Sequence, residues 1–172
     1  MSLLNRINFR FNLRDLTFFF MVARTQKVAG ITSKVGKDEH IILWDLDRCN
    51  FTDAVKSLVY VQDKYKLGDI LIISDKENSY GGICLTKVTF NELLKILIDT
   101  PLIDMGFVAY TAKRYGATLR LSSKKDRKDR EVIDTIKSPF GGYRETNNSD
   151  FHIVVYDTGL VKNGLHIGEF ND

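Results

Sequence analysis

Four apolar residues run straight into two aspartates in the stretch IILWDLDRCNFT, residues 41–52, and no other stretch restricts the fold of this chain as much. A short apolar run closed by polar residues and followed almost at once by a helix-like segment reads as a buried strand feeding a helix. Strand side chains alternate, so Asp45 and Asp47 emerge on one face at the strand's end. Carboxylates that close repel each other unless a cation neutralises them, which makes the pair a natural ligand set for Mg²⁺ or Mn²⁺. Without such an ion they are two solvated acids at a strand end.

The segments downstream decide what this strand belongs to. Asn50 can cap the next helix, with Asp53 in its first turn favouring the helix dipole. Phe51, Val55, Leu58 and Tyr65 fall at helical spacing, and the helix stops at Leu67-Gly68. DILIIS (69–74) is a short apolar run, hence a buried strand, and DKENS is a turn. YGGICLTK returns as a strand in which the glycines mark a bulge or a close backbone approach. Thr89 to Glu92 is a capping box, and Phe90, Leu93, Leu94 and Leu97 give the stripe of a second helix. MGFVAYTAK (105–113) and GATLRLS (116–122) read as two further strands.

Residues 40–122 therefore read β-α-β-β-α-β plus one strand. The fold class expected is α+β: a ferredoxin-like or RNA-recognition-like split β-α-β palm, its antiparallel sheet carrying helices on one face and leaving the other available. Residues 1–39 supply an irregular arm (1–15, with Arg6, Arg10 and Arg14), a strand at 16–24 and a loop or hairpin at 25–39. Residues 123–172 supply the mixed-charge run SKKDRKDRE, which reads as a solvated or strand-tracking loop, then a polar loop and a last strand at 151–156. All 172 residues are expected in one domain, a length that buries a core without staples.

Composition narrows the function classes. A formal charge of +3 means that any nucleic-acid surface is a local patch and not a basic whole. Cys49 and Cys84 stand alone and read as buried thiols, while His40, His152 and His166 lack metal-ligand spacing. No apolar run approaches a membrane span and the start is too polar for a secretory signal, so a soluble cytoplasmic protein is expected.

A nucleotidyl-transfer site on such a palm needs two divalent ions and, beyond Asp45 and Asp47, usually a third carboxylate. Asp104 and Asp157 are the candidates. Phosphates need donors, which Ser79 with the Gly81-Gly82 backbone, Arg114, Arg120 and Lys124 can offer.

The motif order resembles the archaeo-eukaryotic primase superfamily, the primase-polymerases of plasmids and viruses. The D-h-D motif is matched by Asp45-Leu46-Asp47. The apolar-Asp motif is matched by Ile103-Asp104 or, less well, by Tyr156-Asp157. A hairpin with Ser79-Tyr80-Gly81-Gly82 stands between them, and Arg114 to Lys124 follows as R-x-G-x-T-L-R-x-S-x-K. The resemblance covers about residues 40–125. It implies a replication-type nucleotidyltransferase with catalytic Asp45, Asp47 and Asp104, Mg²⁺ or Mn²⁺ as cofactor, a single-stranded DNA or RNA template, nucleotide triphosphates and replication partner proteins. The family's S-x-H motif departs here, because no histidine follows Ser79. That substitution implies a retained fold with weakened or lost synthesis, hence a nucleic-acid-binding replication protein as the alternative.

Two other chemistries fit parts of the pattern. A haloacid-dehalogenase-like phosphatase also ends an apolar strand in D-x-D, with Asp45 as nucleophile, Asp47 as general acid, and Ser74 with Lys87 or Lys113 completing the site. Its parallel sheet needs helical crossovers that a tight 69–86 hairpin does not supply. Tyr110-Thr111-Ala112-Lys113 fits the Tyr-x-x-Lys of rolling-circle initiators, without their histidine motif. As a binding module, the chain would stack bases on Tyr80, Phe107 and Tyr110 of an open sheet.

Overall fold

The computed structural model describes residues 6–13, 16–23, 26–123, 128–140 and 152–158, with the backbone alone at 6–13, 16–23, 26–27 and 152–158. By its contacts the chain divides into two compact units: residues 1–28 with 155–172, and residues 29–154. The first contains an antiparallel hairpin of β1 (Arg6–Leu13) and β2 (Leu16–Ala23), in register from Arg6↔Ala23 to Leu13↔Leu16. The irregular arm expected at 1–15 is thus corrected to a strand over most of its length. Ile7, Phe9, Phe11 and Leu13 alternate with Arg6, Asn8, Arg10 and Asn12, the period-two pattern of a strand.

The second unit is mixed α and β with antiparallel sheets. Its main sheet has the order β4-β6-β5-β8, formed by β4 (His40–Asp47), β6 (Ser79–Val88), β5 (Ile70–Lys76) and β8 (Glu131–Ile136). Every neighbouring pair in it is antiparallel. Between β4 and β5 runs α1 (Phe51–Tyr65), capped by Asn50, whose side chain accepts the Asp53 N–H. After β6 comes α2 (Phe90–Asp99), opened by the predicted Thr89/Glu92 capping box.

Two strand expectations need correction. Residues 105–113 form α3 (Met105–Arg114), not a strand. Aromatic and β-branched residues suggested a strand, but Asp104 caps the segment by accepting the Gly106 N–H. Phe107, Val108 and Thr111 then bury one helical face. The strand that follows, β7 (Thr118–Arg120), is short and pairs with β3 (Gln26–Thr32), where a loop or hairpin was expected. The sheet of 40–122 is therefore not closed by its last two expected strands. A further strand, β9, covers His152–Thr158.

Ile41, Ile42, Leu43 and Trp44 are all wholly buried, so both faces of β4 are covered. A sheet with one open face would expose every second residue. On one face Trp44 meets Leu58 of α1 above Gly82, and its Nε1–H donates to Thr100 Oγ1 at the end of α2, 3.0 Å away. The opposite face, reached by Ile41 and Leu43, ends in Asp45 and Asp47.

Candidate metal centre

The register of β4 carries the aspartates to their place. Asp45 lies opposite Gly81 of β6 and Asp47 opposite Ser79. The third carboxylate arrives from the turn after α2, where Leu102 takes a left-handed conformation (φ 62°). This turn returns the chain to the end of β4: Ile103 bridges Leu46, and Asp104 N–H donates to Asp45 O at 2.9 Å. One carboxylate oxygen from each of Asp45, Asp47 and Asp104 then lies within 4.8 Å of the others.

Among the described residues each acid has one protein donor on its Oδ1. Arg130 Nη2 donates to Asp45 at 2.9 Å, Ser79 Oγ–H to Asp47 at 2.7 Å, and the Gly106 N–H to Asp104 at 2.9 Å. Among the described residues no hydrogen bond reaches the second oxygen of any of the three. Burial pushes the Asp45 carboxyl above its ordinary range, the Arg130 guanidinium pulls the other way, and Asp47 and Asp104 add to the upward push. Like unit charges about 5 Å apart repel by roughly 3 kcal/mol at an effective dielectric near 20. Among the described residues one arginine pairs with Asp45, and Asp47 and Asp104 have no ion-pair partner. Three hard oxygen donors converging with spare lone pairs fit an oxygen-preferring divalent ion.

The phosphate-binding expectations fare differently. Ser79 is wholly buried and its hydroxyl is committed to Asp47. Gly81 and Gly82 sit inside the four-stranded sheet under side chains: a Cβ on Gly81 would stand 2.9 Å from Arg130 Nη1, and one on Gly82 would stand 2.8 Å from Trp44 Cε3. They provide close packing, not an open backbone cradle. Arg120 pairs with Asp75 and donates to Ser122 O. Arg114 ends α3, at the opposite end from Asp104, with its guanidinium 5.6 Å from the Tyr110 ring centre. Lys124 lies outside the described residues. So does the side chain of Asp157, whose backbone belongs to β9.

The base-stacking surface is not assembled. Tyr80 is only 8% exposed and packs on Phe51, while Phe107 and Tyr110 are on α3, not on a sheet. Both cysteines are free and buried, as expected. His40 is buried with Nδ1 3.0 Å from Ser33 Oγ, away from any metal-binding group among the described residues.

Two functional candidates escaped the sequence. Arg130 comes from the charged run expected to be solvated, yet its side chain is 3% exposed. The side chain of Asp75, in the turn-like DKENS, is wholly buried beside it. Nothing local marks either residue, since their partners lie 85 and 45 positions away.

Comparison of the chain with family models, with curated proteins and with solved structures finds no match. No helix among the described residues is long and apolar enough to cross a membrane.

Proposed function

We propose that residues 29–154 form a divalent-metal palm for nucleotidyl transfer, of the primase-polymerase type, with Asp45, Asp47 and Asp104 as metal ligands. The convergence of these three carboxylates carries the reading. The arrangement of β4, α1 and β5, with β6 paired between the two strands, supports it as a split β-α-β, the core of a ferredoxin-like palm. Antiparallel pairing throughout that sheet favours a palm over the parallel sheet of the phosphatase reading. Bound Mg²⁺ or Mn²⁺ would supply charge stabilisation at a triphosphate and activation of an attacking hydroxyl. The chain's own part is to fix three ligands, two from a strand end and one from a helix cap. Nucleotide triphosphates and a single-stranded DNA or RNA template are the substrates of this reading, and replication proteins its partners.

The test is extension or initiation of a strand on a single-stranded template with Mn²⁺ and nucleotide triphosphates. Wild type should be active, and Asp45→Asn and Asp47→Asn inactive but folded. Activity that survives both substitutions would remove the catalytic role. A second reading, a nucleic-acid-binding replication protein of the same fold, is favoured by the internal engagement of Ser79 and Arg120. It predicts salt-sensitive binding of single strands with metal uptake and no synthesis.

A further inference from the structure

The ion pairs behind the acidic cluster are more deeply buried than the cluster. The side chain of Asp75 is wholly inaccessible and that of Arg130 3% exposed, against 23% for Asp45. Asp75 pairs with Arg120 of β7 and lies 3.8 Å from Arg130 Nε, while the other edge of the Arg130 guanidinium bonds Asp45. A buried chain Asp45–Arg130–Asp75–Arg120 therefore joins the end of β4 to β7.

Arg130 is fixed within it. Its N–H donates to Leu121 O at 2.7 Å, placing it at the entry to β8. Its Nη1 occupies the space that any side chain at position 81 would claim. Nε and Nη1 are buried without a hydrogen-bond partner among the described residues, so the good hydrogen bond the guanidinium makes is the one to Asp45. A mobile counter-ion would instead keep its idle donors in water.

Building on the metal-centre reading proposed above, we infer that Arg130 is a positioning residue for that centre, with Gly81 as its seat. Held close over the glycine, the guanidinium fixes one oxygen of Asp45 and leaves the carboxylate's remaining lone pairs for the cation shared with Asp47 and Asp104. Two effects oppose each other when Arg130 is removed. By charge alone, loss of a cation beside the ligand tightens the hold on a dication. By positioning, its loss lets Asp45 rotate out of the ligand set, and outer partners of metal ligands typically matter by about 10–100-fold in affinity. Because Arg130 is held by backbone, by Asp75 and by Gly81, positioning is the stronger effect.

Calorimetric titration of Mn²⁺ into the full chain tests this, using wild type, Arg130→Gln, Arg130→Lys and Gly81→Ala. Each variant is first checked for native circular dichroism and a cooperative melt. Arg130→Gln should weaken Mn²⁺ binding about 10-fold or more, and Arg130→Lys should recover part of the loss. Gly81→Ala removes no charge but displaces the guanidinium, so it should also weaken binding. The double variant with Arg130→Gln should be no weaker than Arg130→Gln alone. Binding by Arg130→Gln that equals or exceeds wild type overturns the inference and leaves the metal centre standing. Wild type that takes up no Mn²⁺ removes the metal centre itself. Should Arg130→Gln fail to fold, Gly81→Ala decides the matter: unchanged Mn²⁺ affinity there overturns the inference.

Discussion

Gly81 and Gly82 are neighbours in β6 and face opposite sides of one sheet, and the two sides are built on different principles. Above Gly82 lie the Trp44 ring and Leu58, a close-packed apolar contact between strand and helix. Above Gly81 lie Ile73 and the Arg130 guanidinium, with Asp45 directly across the ladder. In neither case is a left-handed backbone the reason for glycine; each is needed because its neighbours come too close for a Cβ. The Gly82 face is packed by apolar contact, and the Gly81 face holds buried charges next to the acidic cluster. Covering both faces also explains why residues 41–44 are apolar without alternation.

The largest test of this contrast empties the charged side. Arg130→Met should destabilise the protein by about 3 kcal/mol, the low end of the range for breaking a buried ion pair, because Asp75 keeps Arg120 as a partner. Urea unfolding measures it. A loss no larger than that of an exposed arginine would mean that the charged side plays no part in holding the sheet.

The two glycines can next be compared directly. At Gly82 a methyl group would meet the edge of a wholly buried indole that is also tied to Thr100. Gly82→Ala should therefore cost about 2 kcal/mol as overpacking. At Gly81 the methyl meets the end of one flexible side chain and the Cγ1 of Ile73. Gly81→Ala should cost about 1 kcal/mol, because the guanidinium end of Arg130 can be pushed aside at the expense of its place beside Asp45. Equal losses would show that the two faces are alike in rigidity, and the contrast would fail.

The apolar face was largely legible in the sequence, since its signals are local. The 41–44 run, the Asn50 cap and the Thr89/Glu92 capping box lie within a few residues of what they specify. The D-x-D spacing likewise puts Asp45 and Asp47 on one face of their strand. The charged face was not legible, because its burial depends on residues distant in the chain. A run such as SKKDRKDRE is ordinarily solvated, and only the meeting of residues 45, 75 and 130 makes Arg130 an interior residue. Ser79 lies beside Asp47, and its hydroxyl donates to that carboxylate where a phosphate donor was expected. Residues 105–113 were misread because their aromatic content outweighed the cap at Asp104.

The smallest expected effect is the most specific to the charged face, because it is read as a slope. The Asp45 carboxyl is held above its ordinary range chiefly by burial, with Arg130 opposing and Asp47 and Asp104 reinforcing. A carboxyl that binds its proton more tightly when folded favours the folded state at low pH. Its contribution declines as pH rises from the unfolded carboxyl range, near 4, through the raised folded value, above which the full cost applies. An asparagine in its place has no proton to lose there. Asp45→Asn should therefore gain stability relative to wild type as pH rises through that window, and only by a small amount, because Arg130 offsets part of the burial cost. Urea midpoints taken across the window measure the gain. Gly82→Ala changes only contacts to Trp44 and Leu58, neither of which titrates, so its loss should stay constant over the same range. Saturating Mn²⁺ should flatten the wild-type decline, because a bound dication favours the ionised acid. If Asp45→Asn and wild type instead run parallel across the window, the Asp45 side chain is not held in the buried, charge-crowded setting described, and the division between the two faces would have to be redrawn.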